Sequence, residues 1–86
     1  MVAGDQVAQG KPHPEPYRTA AAQLGLPAQA CLAVENAPLG IRSARAAGMA
    51  CVALETTLDA ERLSAAGASR VFDQARALRR WLLYEA

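Results

Sequence analysis

The sequence has 86 residues, of which 52% are hydrophobic and 20% charged, and its net charge is +1. A chain of this length forms one small domain at most, with marginal stability because little surface can be buried. The near-neutral charge without a basic run argues against a nucleic-acid partner. No segment approaches the roughly 18 apolar residues of a membrane span, and no signal peptide is visible. We therefore expect neither a nucleic-acid partner nor a membrane partner.

The first predicted helix follows a polar segment, residues 1–10, that has neither helical nor strand periodicity and indicates a loop. Prolines alternate in the next segment, GKPHPEPY, and the last two fit the first turn of a helix, whose N–H groups have no intrahelical partner. One apolar stripe follows, formed by Tyr17, Ala21 and Leu24, before a glycine that can end the helix. The pattern predicts a helix from about Pro14 to Leu24, with Lys11 on the rigid loop before it.

A strand that turns tightly into a helix is predicted next, in LAVENAPLGIRSARAAG. The apolar run from Cys31 to Val34 is long enough for a buried strand and too short for a helix. Glu35 and Asn36 follow it, and Pro38 opens a helix with small apolar residues at helical spacing. Ligands of α/β proteins bind outside the carboxyl ends of parallel strands, where Glu35 can face water, a metal ion or a substrate. This stretch is therefore the predicted active-site edge.

The remaining elements repeat the alternation of strand and helix. The run Ala50 to Leu54 is a near copy of the first strand, as expected for adjacent parallel strands that are buried on both faces. A short helix is predicted to start at Asp59, with Leu58 and Leu63 packed across its first turn, and to stop at Gly67. A brief third strand includes Val71 and Phe72. The last helix begins at Asp73, with inward residues Ala75, Leu78, Trp81 and Leu82 and outward residues Arg76, Arg79 and Arg80. The arginines indicate a solvated face more than an anion site.

The order of elements indicates an α/β fold with a parallel sheet of about three strands, right-handed crossovers and flanking helices. Both cysteines, Cys31 and Cys51, fall in apolar runs. That placement favours two buried structural thiols in a reducing cytoplasm over a metal site, which would need further ligands nearby. We therefore expect a cytoplasmic protein.

Few polar residues are candidates for chemistry. The sequence has no glycine-rich dinucleotide fingerprint or phosphate-binding loop, and the only histidine, His13, is more typical of a solvated helix start than of a general acid or base. Lys11, the only lysine, is either a surface charge or a functional cation. Glu35 and Asn36 offer the hard oxygen donors that Mg²⁺ prefers, although Glu35 could instead cap the turn that follows it. The residues alone leave these alternatives open.

The segments GKPHPEPY and LAVENAPLGIRSARAAGM resemble the last two conserved blocks of the haloacid dehalogenase superfamily, closest to the β-phosphoglucomutase-like and phosphoglycolate-phosphatase-like branch. The resemblance extends from about Val2 to Asp73. It implies part of a Rossmannoid three-layer sandwich and the Mg²⁺-dependent hydrolysis or transfer of a phosphate group on a small metabolite. It also implies that Lys11 contacts the phosphoryl group and the nucleophilic aspartate, and that Glu35 and Asn36 help to hold Mg²⁺.

Two departures from the family pattern qualify this expectation. Asn36 stands where aspartate is usual, so we expect Mg²⁺ binding to be weak or absent. No Asp-x-Asp pair, which carries the family's nucleophile, occurs in the sequence. We therefore expect residues 1–86 to be the C-terminal portion of a core domain, inactive alone, without the nucleophile strand and the cap domain. A non-catalytic α/β interaction module or a degenerate remnant is the alternative.

A missing nucleophile strand would leave one edge of Cys31 to Val34 unpaired, and such an edge invites self-association. Lysine at Ala33 would make edge pairing costly if that side chain faces the uncovered region.

Overall fold

Glycines and prolines divide the chain into short helices and strands that alternate along its length. The computed structural model describes residues 2–3, 13–55 and 60–85. Within them the helices are α1 (Glu15–Leu24), α2 (Pro38–Ala46), α3 (Ala60–Ala65) and α4 (Ala75–Tyr84), and the strands are β1 (Val2–Ala3), β2 (Leu32–Glu35), β3 (Ala50–Leu54) and β4 (Arg70–Phe72). A 3-10 turn, Ala28–Ala30, precedes β2. The predicted helix start at Asp59 lies outside the described residues, as does Leu58, which was predicted to pack against Leu63.

The strands form one parallel sheet in the order β1-β2-β3-β4. The three predicted strands and their flanking helices are confirmed. The interpretation of residues 1–10 as a loop is wrong for β1, because Val2 and Ala3 pair with Ala33 and Val34. Two residues are too few to show a strand period, and their partners lie 31 positions away. The prediction that one edge of the strand Cys31 to Val34 is unpaired is therefore wrong for Ala33 and Val34.

Helices cover both faces of the sheet and create two hydrophobic clusters, which confirms the three-layer arrangement. The larger cluster joins α1, α2 and α3 to one face; its buried residues are Tyr17, Ala21, Cys31, Ala33, Ile41, Ala44, Ala47, Met49, Cys51, Ala53, Leu63 and Ala66. The smaller cluster joins α4 to the opposite face through buried Val52, Phe72 and Leu78. The rings of Phe72 and Trp81 lie 5.5 Å apart there. Alternation along each strand sends successive side chains to opposite clusters.

Two predicted helix faces differ from the structure in one residue each. In α1, Tyr17 and Ala21 are buried but Leu24 is half exposed, because the helix ends there at Gly25, whose φ of 72° turns the chain away. In α4, Ala75 is exposed and Ala77 packs on the smaller cluster instead. This helix begins at Ala75, two residues later than predicted, so no helical turn precedes Ala75.

Cys31 and Cys51 are buried and not bonded to each other, as predicted. Within the part of the chain that the structure describes, none of the helices has the length and apolar character needed to cross a membrane.

Candidate functional site

The carboxyl end of β2 places two neighbouring polar side chains in different surroundings. Glu35 is the last residue of β2, and strand alternation directs it to the same face as Ala33, toward α1 and α2. Its side chain is only 3% exposed, whereas Asn36 is exposed. Of the surroundings that the sequence allowed for Glu35, namely water, a metal ion or a substrate, this burial excludes water, and of the two residues only Asn36 is exposed.

Tyr17 holds the buried carboxylate from α1. The tyrosine is fully buried, and its hydroxyl donates a hydrogen bond to Oε2 of Glu35. A buried tyrosine hydroxyl usually finds a partner, and a buried carboxylate is costly without one. The first turn of α1 is therefore attached to the end of β2 by a side-chain hydrogen bond.

Gly40 provides the space that the carboxylate occupies. A Cβ atom at Gly40 would lie less than 3.0 Å from both carboxylate oxygens and from Cδ of Glu35. Gly40 lies in the first turn of α2, a helix whose N-cap, Ala37, makes no side-chain capping bond. The amino-terminal end of a helix carries a partial positive charge, which favours an anionic group there. The carboxylate thus lies against the end of α2 that suits its charge.

A second contact joins the GKPHPEPY segment to α2. The buried hydroxyl of Ser43 donates a hydrogen bond to the backbone carbonyl of His13. Ser43 follows Gly40 by three residues, so both lie on one face of α2. Lys11 precedes His13 by two residues in the sequence and lies outside the described residues. We expect Lys11 and Glu35 to converge at the carboxyl edge of the sheet, because the loops that follow parallel strands share that edge; this stays a prediction.

The two candidate metal ligands differ in how well they fit Mg²⁺. Among residues 2–3, 13–55 and 60–85, no three His, Cys, Asp or Glu side chains are grouped so that they could hold a metal ion. Asn36 presents an exposed amide oxygen, which fits one position of a mostly hydrated ion. Glu35 does not fit as placed, because its carboxylate is enclosed by Tyr17 and Gly40.

Sequence reasoning missed the supporting roles of Tyr17, Gly40 and Ser43. Tyr17 was predicted as an apolar residue, although its hydroxyl needs a partner once the ring is buried. Gly40 was a usable signal, since glycine in the first turn of a helix indicates a close approach by another group. Nothing in the sequence marks Ser43, whose partner is a backbone carbonyl thirty residues away.

We expect the stability of the protein to fall between about pH 9 and pH 12. Burial raises the pKa of the Cys51 thiol from 9.0 to about 12; the charge of Glu35 adds to the rise and that of Arg45 opposes it. Above pH 9 the unfolded thiol loses its proton while the folded thiol keeps it, so the unfolded state gains in relative stability. Denaturation midpoints measured at several pH values should fall more steeply for the wild type than for Cys51→Ala. Parallel pH profiles would contradict this prediction.

Comparison with known proteins gives consistent matches. The family described as haloacid dehalogenase-like hydrolase matches residues 1–54. A validoxylamine A 7'-phosphate phosphatase of Streptomyces hygroscopicus subsp. limoneus is 44% identical over 66 residues, which cover 77% of this chain and 31% of that protein. A phosphoglycolate phosphatase of Rhodospirillum rubrum is 37% identical over 82 residues, which cover 95% of this chain and 34% of that protein.

Among solved structures, a HAD family hydrolase from Deinococcus radiodurans R1, determined with bound phosphate and sodium, superposes with a TM-score of 0.79. It is 35% identical, and the match covers 90% of this chain and 35% of that one. The chain thus spans about a third of the length of the relatives that it matches.

Proposed function

Because the chain belongs to the haloacid dehalogenase-like hydrolase family, we propose that it carries the Lys11 and Glu35–Asn36 part of a phosphate-processing active site. The reaction would be Mg²⁺-dependent hydrolysis of a phosphate monoester, or phosphomutase chemistry, on a small phosphorylated metabolite. Two relatives that are phosphatases by name and a structural neighbour with bound phosphate support this class of substrate.

One observation carries the proposal: two contacts hold His13 and Tyr17, which belong to the GKPHPEPY segment, against the end of β2 and the start of α2. These are the hydrogen bonds from Tyr17 to Glu35 and from Ser43 to the His13 carbonyl. They connect the segment that contains Lys11 to the edge of a parallel sheet where ligands bind. These contacts bring the start of α1 and the start of α2 to one edge of the sheet, which supports the proposal that Lys11 and Asn36 act there.

The roles follow from the chemistry of each group. Phosphoryl transfer depends mainly on stabilising the charge of the phosphoryl oxygens, which an ammonium group such as that of Lys11 can do. Asn36 would supply one oxygen to Mg²⁺, with water and other donors completing its shell. When bound, the ion would polarise a phosphoryl oxygen as a Lewis acid. Glu35 supports this edge from within the protein.

The attacking group must come from beyond these residues. The family forms a covalent intermediate on an aspartate of an Asp-x-Asp block, and no such block occurs among the 86 residues. We propose that residues 1–86 form the last portion of a core domain whose nucleophile strand and cap lie elsewhere. The absent block also favours the second candidate, a non-catalytic α/β module that binds a partner.

Binding of inorganic phosphate tests the proposal better than turnover, since the chain alone should hydrolyse no phosphate ester above background. Lys11 is the only lysine, so reductive ¹³C-methylation labels one side chain besides the terminal amine and preserves its charge. Titration with phosphate in the presence of Mg²⁺ should shift the Lys11 methyl signal along a saturating curve. The shift should weaken several-fold in Asn36→Ala.

The signal of the methylated terminal amine provides an internal control, and chloride at matched ionic strength separates phosphate binding from screening. A Lys11 shift that is equal for phosphate and chloride would overturn the proposed phosphate site. It would favour the non-catalytic alternative.

A further inference from the structure

The family resemblance implies that Glu35 binds a metal ion, but its carboxylate is already in contact with two parts of the protein. We propose that Glu35 is a positioning residue that joins α1 to α2 at the end of β2, and that it is not a direct ligand of the metal ion. The relevance of this role of Glu35 to catalysis rests on the proposed function. The contacts from which the role is inferred do not depend on that function.

The first argument is steric. Mg²⁺ requires oxygens at about 2.0–2.1 Å in a nearly octahedral arrangement and keeps several of its waters. The Glu35 side chain is 3% exposed, and both of its oxygens lie close to Gly40 in the first turn of α2. An ion with its waters would have to displace Tyr17 or the start of α2, since both contact the carboxylate. Asn36, one position later, is exposed and needs no such rearrangement.

The second argument concerns the groups that hold the carboxylate in place. Tyr17 donates to Oε2 and is fully buried, so turning Glu35 outward would leave a buried hydroxyl without this acceptor. The partial positive charge at the start of α2 also favours the carboxylate where it lies. Ala37, the N-cap of α2, supplies no side-chain acceptor of its own.

The third argument is that the contacts of Glu35 link the first turn of α1 to the first turn of α2. Tyr17 belongs to the first turn of α1, directly after the GKPHPEPY prolines, and Gly40 belongs to the first turn of α2. Glu35 touches both and is fixed by its strand. The hydrogen bond between Ser43 and the His13 carbonyl fixes the same segment at a second point on α2. Together these contacts set where His13 and Tyr17 lie relative to Asn36.

The proposal is tested by thermal unfolding of three variants, Glu35→Ala, Glu35→Gln and Tyr17→Phe. Each is measured without Mg²⁺ and with millimolar Mg²⁺. We expect Glu35→Ala to lower the melting temperature by at least about 4 °C, the shift that corresponds to a small domain losing one good interaction. Glu35→Gln should recover most of that loss, because its amide oxygen still accepts from Tyr17. Tyr17→Phe should lower the melting temperature clearly less in Glu35→Ala than in the wild type.

Mg²⁺ should change the melting temperature of the wild type and of Glu35→Gln by the same amount, whether that amount is zero or positive. Glu55→Gln is the matched control, since Glu55 directly follows β3 as Glu35 ends β2. A stabilisation by Mg²⁺ that is present in the wild type and lost in Glu35→Gln would overturn the proposal, as would additive effects of Tyr17→Phe and Glu35→Ala. If Glu35→Ala does not fold, the effect of Tyr17→Phe is instead compared in the wild type and in Glu35→Gln. Tyr17→Phe should lower the melting temperature in both, because the glutamine amide oxygen still accepts the hydrogen bond from Tyr17. None of these outcomes depends on phosphate binding.

Discussion

Gly40→Ala is expected to destabilise the protein by about 2–3 kcal/mol, although glycine to alanine within a helix normally stabilises it by about 1 kcal/mol. The added methyl group would lie less than 3.0 Å from the carboxylate of Glu35, which is enclosed and cannot move aside easily. Either the carboxylate leaves Tyr17 or the start of α2 shifts. Chemical denaturation of wild type and variant measures the difference in unfolding free energy.

Two further variants show whether the carboxylate is the cause. In Gly40→Ala/Glu35→Ala the clashing atoms are gone, so Gly40→Ala should become nearly neutral in that background. Gly25→Ala is the control for backbone strain, because its φ is 72° and a Cβ there would meet nothing within 4 Å. A stabilising or neutral Gly40→Ala in the wild-type background would contradict the position of Glu35 described above.

Ala33→Lys is expected to abolish folding, with a loss of about 4 kcal/mol or more. Ala33 is fully buried in the larger cluster, and its backbone pairs with both β1 and β3. A lysine enclosed there must lose its charge or its solvation, and burying an ionisable group in this way costs about 4 kcal/mol. Circular dichroism at 25 °C should show an unfolded or aggregated protein. The idea that lysine at this position would test an open sheet edge is wrong, because the side chain points into the core.

Leu32→Lys is the matched control, one residue earlier in the same strand. Leu32 is only partly buried, beside the smaller cluster on the opposite face. A lysine there can extend its charge to water along its apolar stem. We expect a folded protein of reduced stability, and a folded Ala33→Lys would show that the assigned face of β2 is wrong.

Local patterns were enough to predict most elements of the fold. Ala50–Leu54 has the predicted bounds, and α1 and β4 begin within one residue of the prediction. These elements have strong apolar runs or proline and glycine boundaries, which act over a few residues. β1 could not be found in this way, because two residues carry no period and their pairing depends on the register of β2.

The sequence predicted only part of the candidate site, for a similar reason. The sequence identified Glu35 and Asn36 as the polar pair at a strand end, but it could not decide which of them faces the protein. That choice follows from strand alternation combined with the positions of α1 and α2, which are tertiary. The partners Tyr17 and Gly40 become visible only when both helices lie beside the strand.

The division of the core between two faces gives each face its own intrinsic chromophore. Trp81, the only tryptophan, packs on the α4 side, and Tyr17 is buried on the side of α1 and α2. Tyr84, the other tyrosine, is 80% exposed and changes its surroundings little on unfolding. Tryptophan fluorescence and tyrosine absorbance therefore follow opposite faces of the same sheet, so coincidence of the two transitions would establish that the layers melt as one cooperative unit.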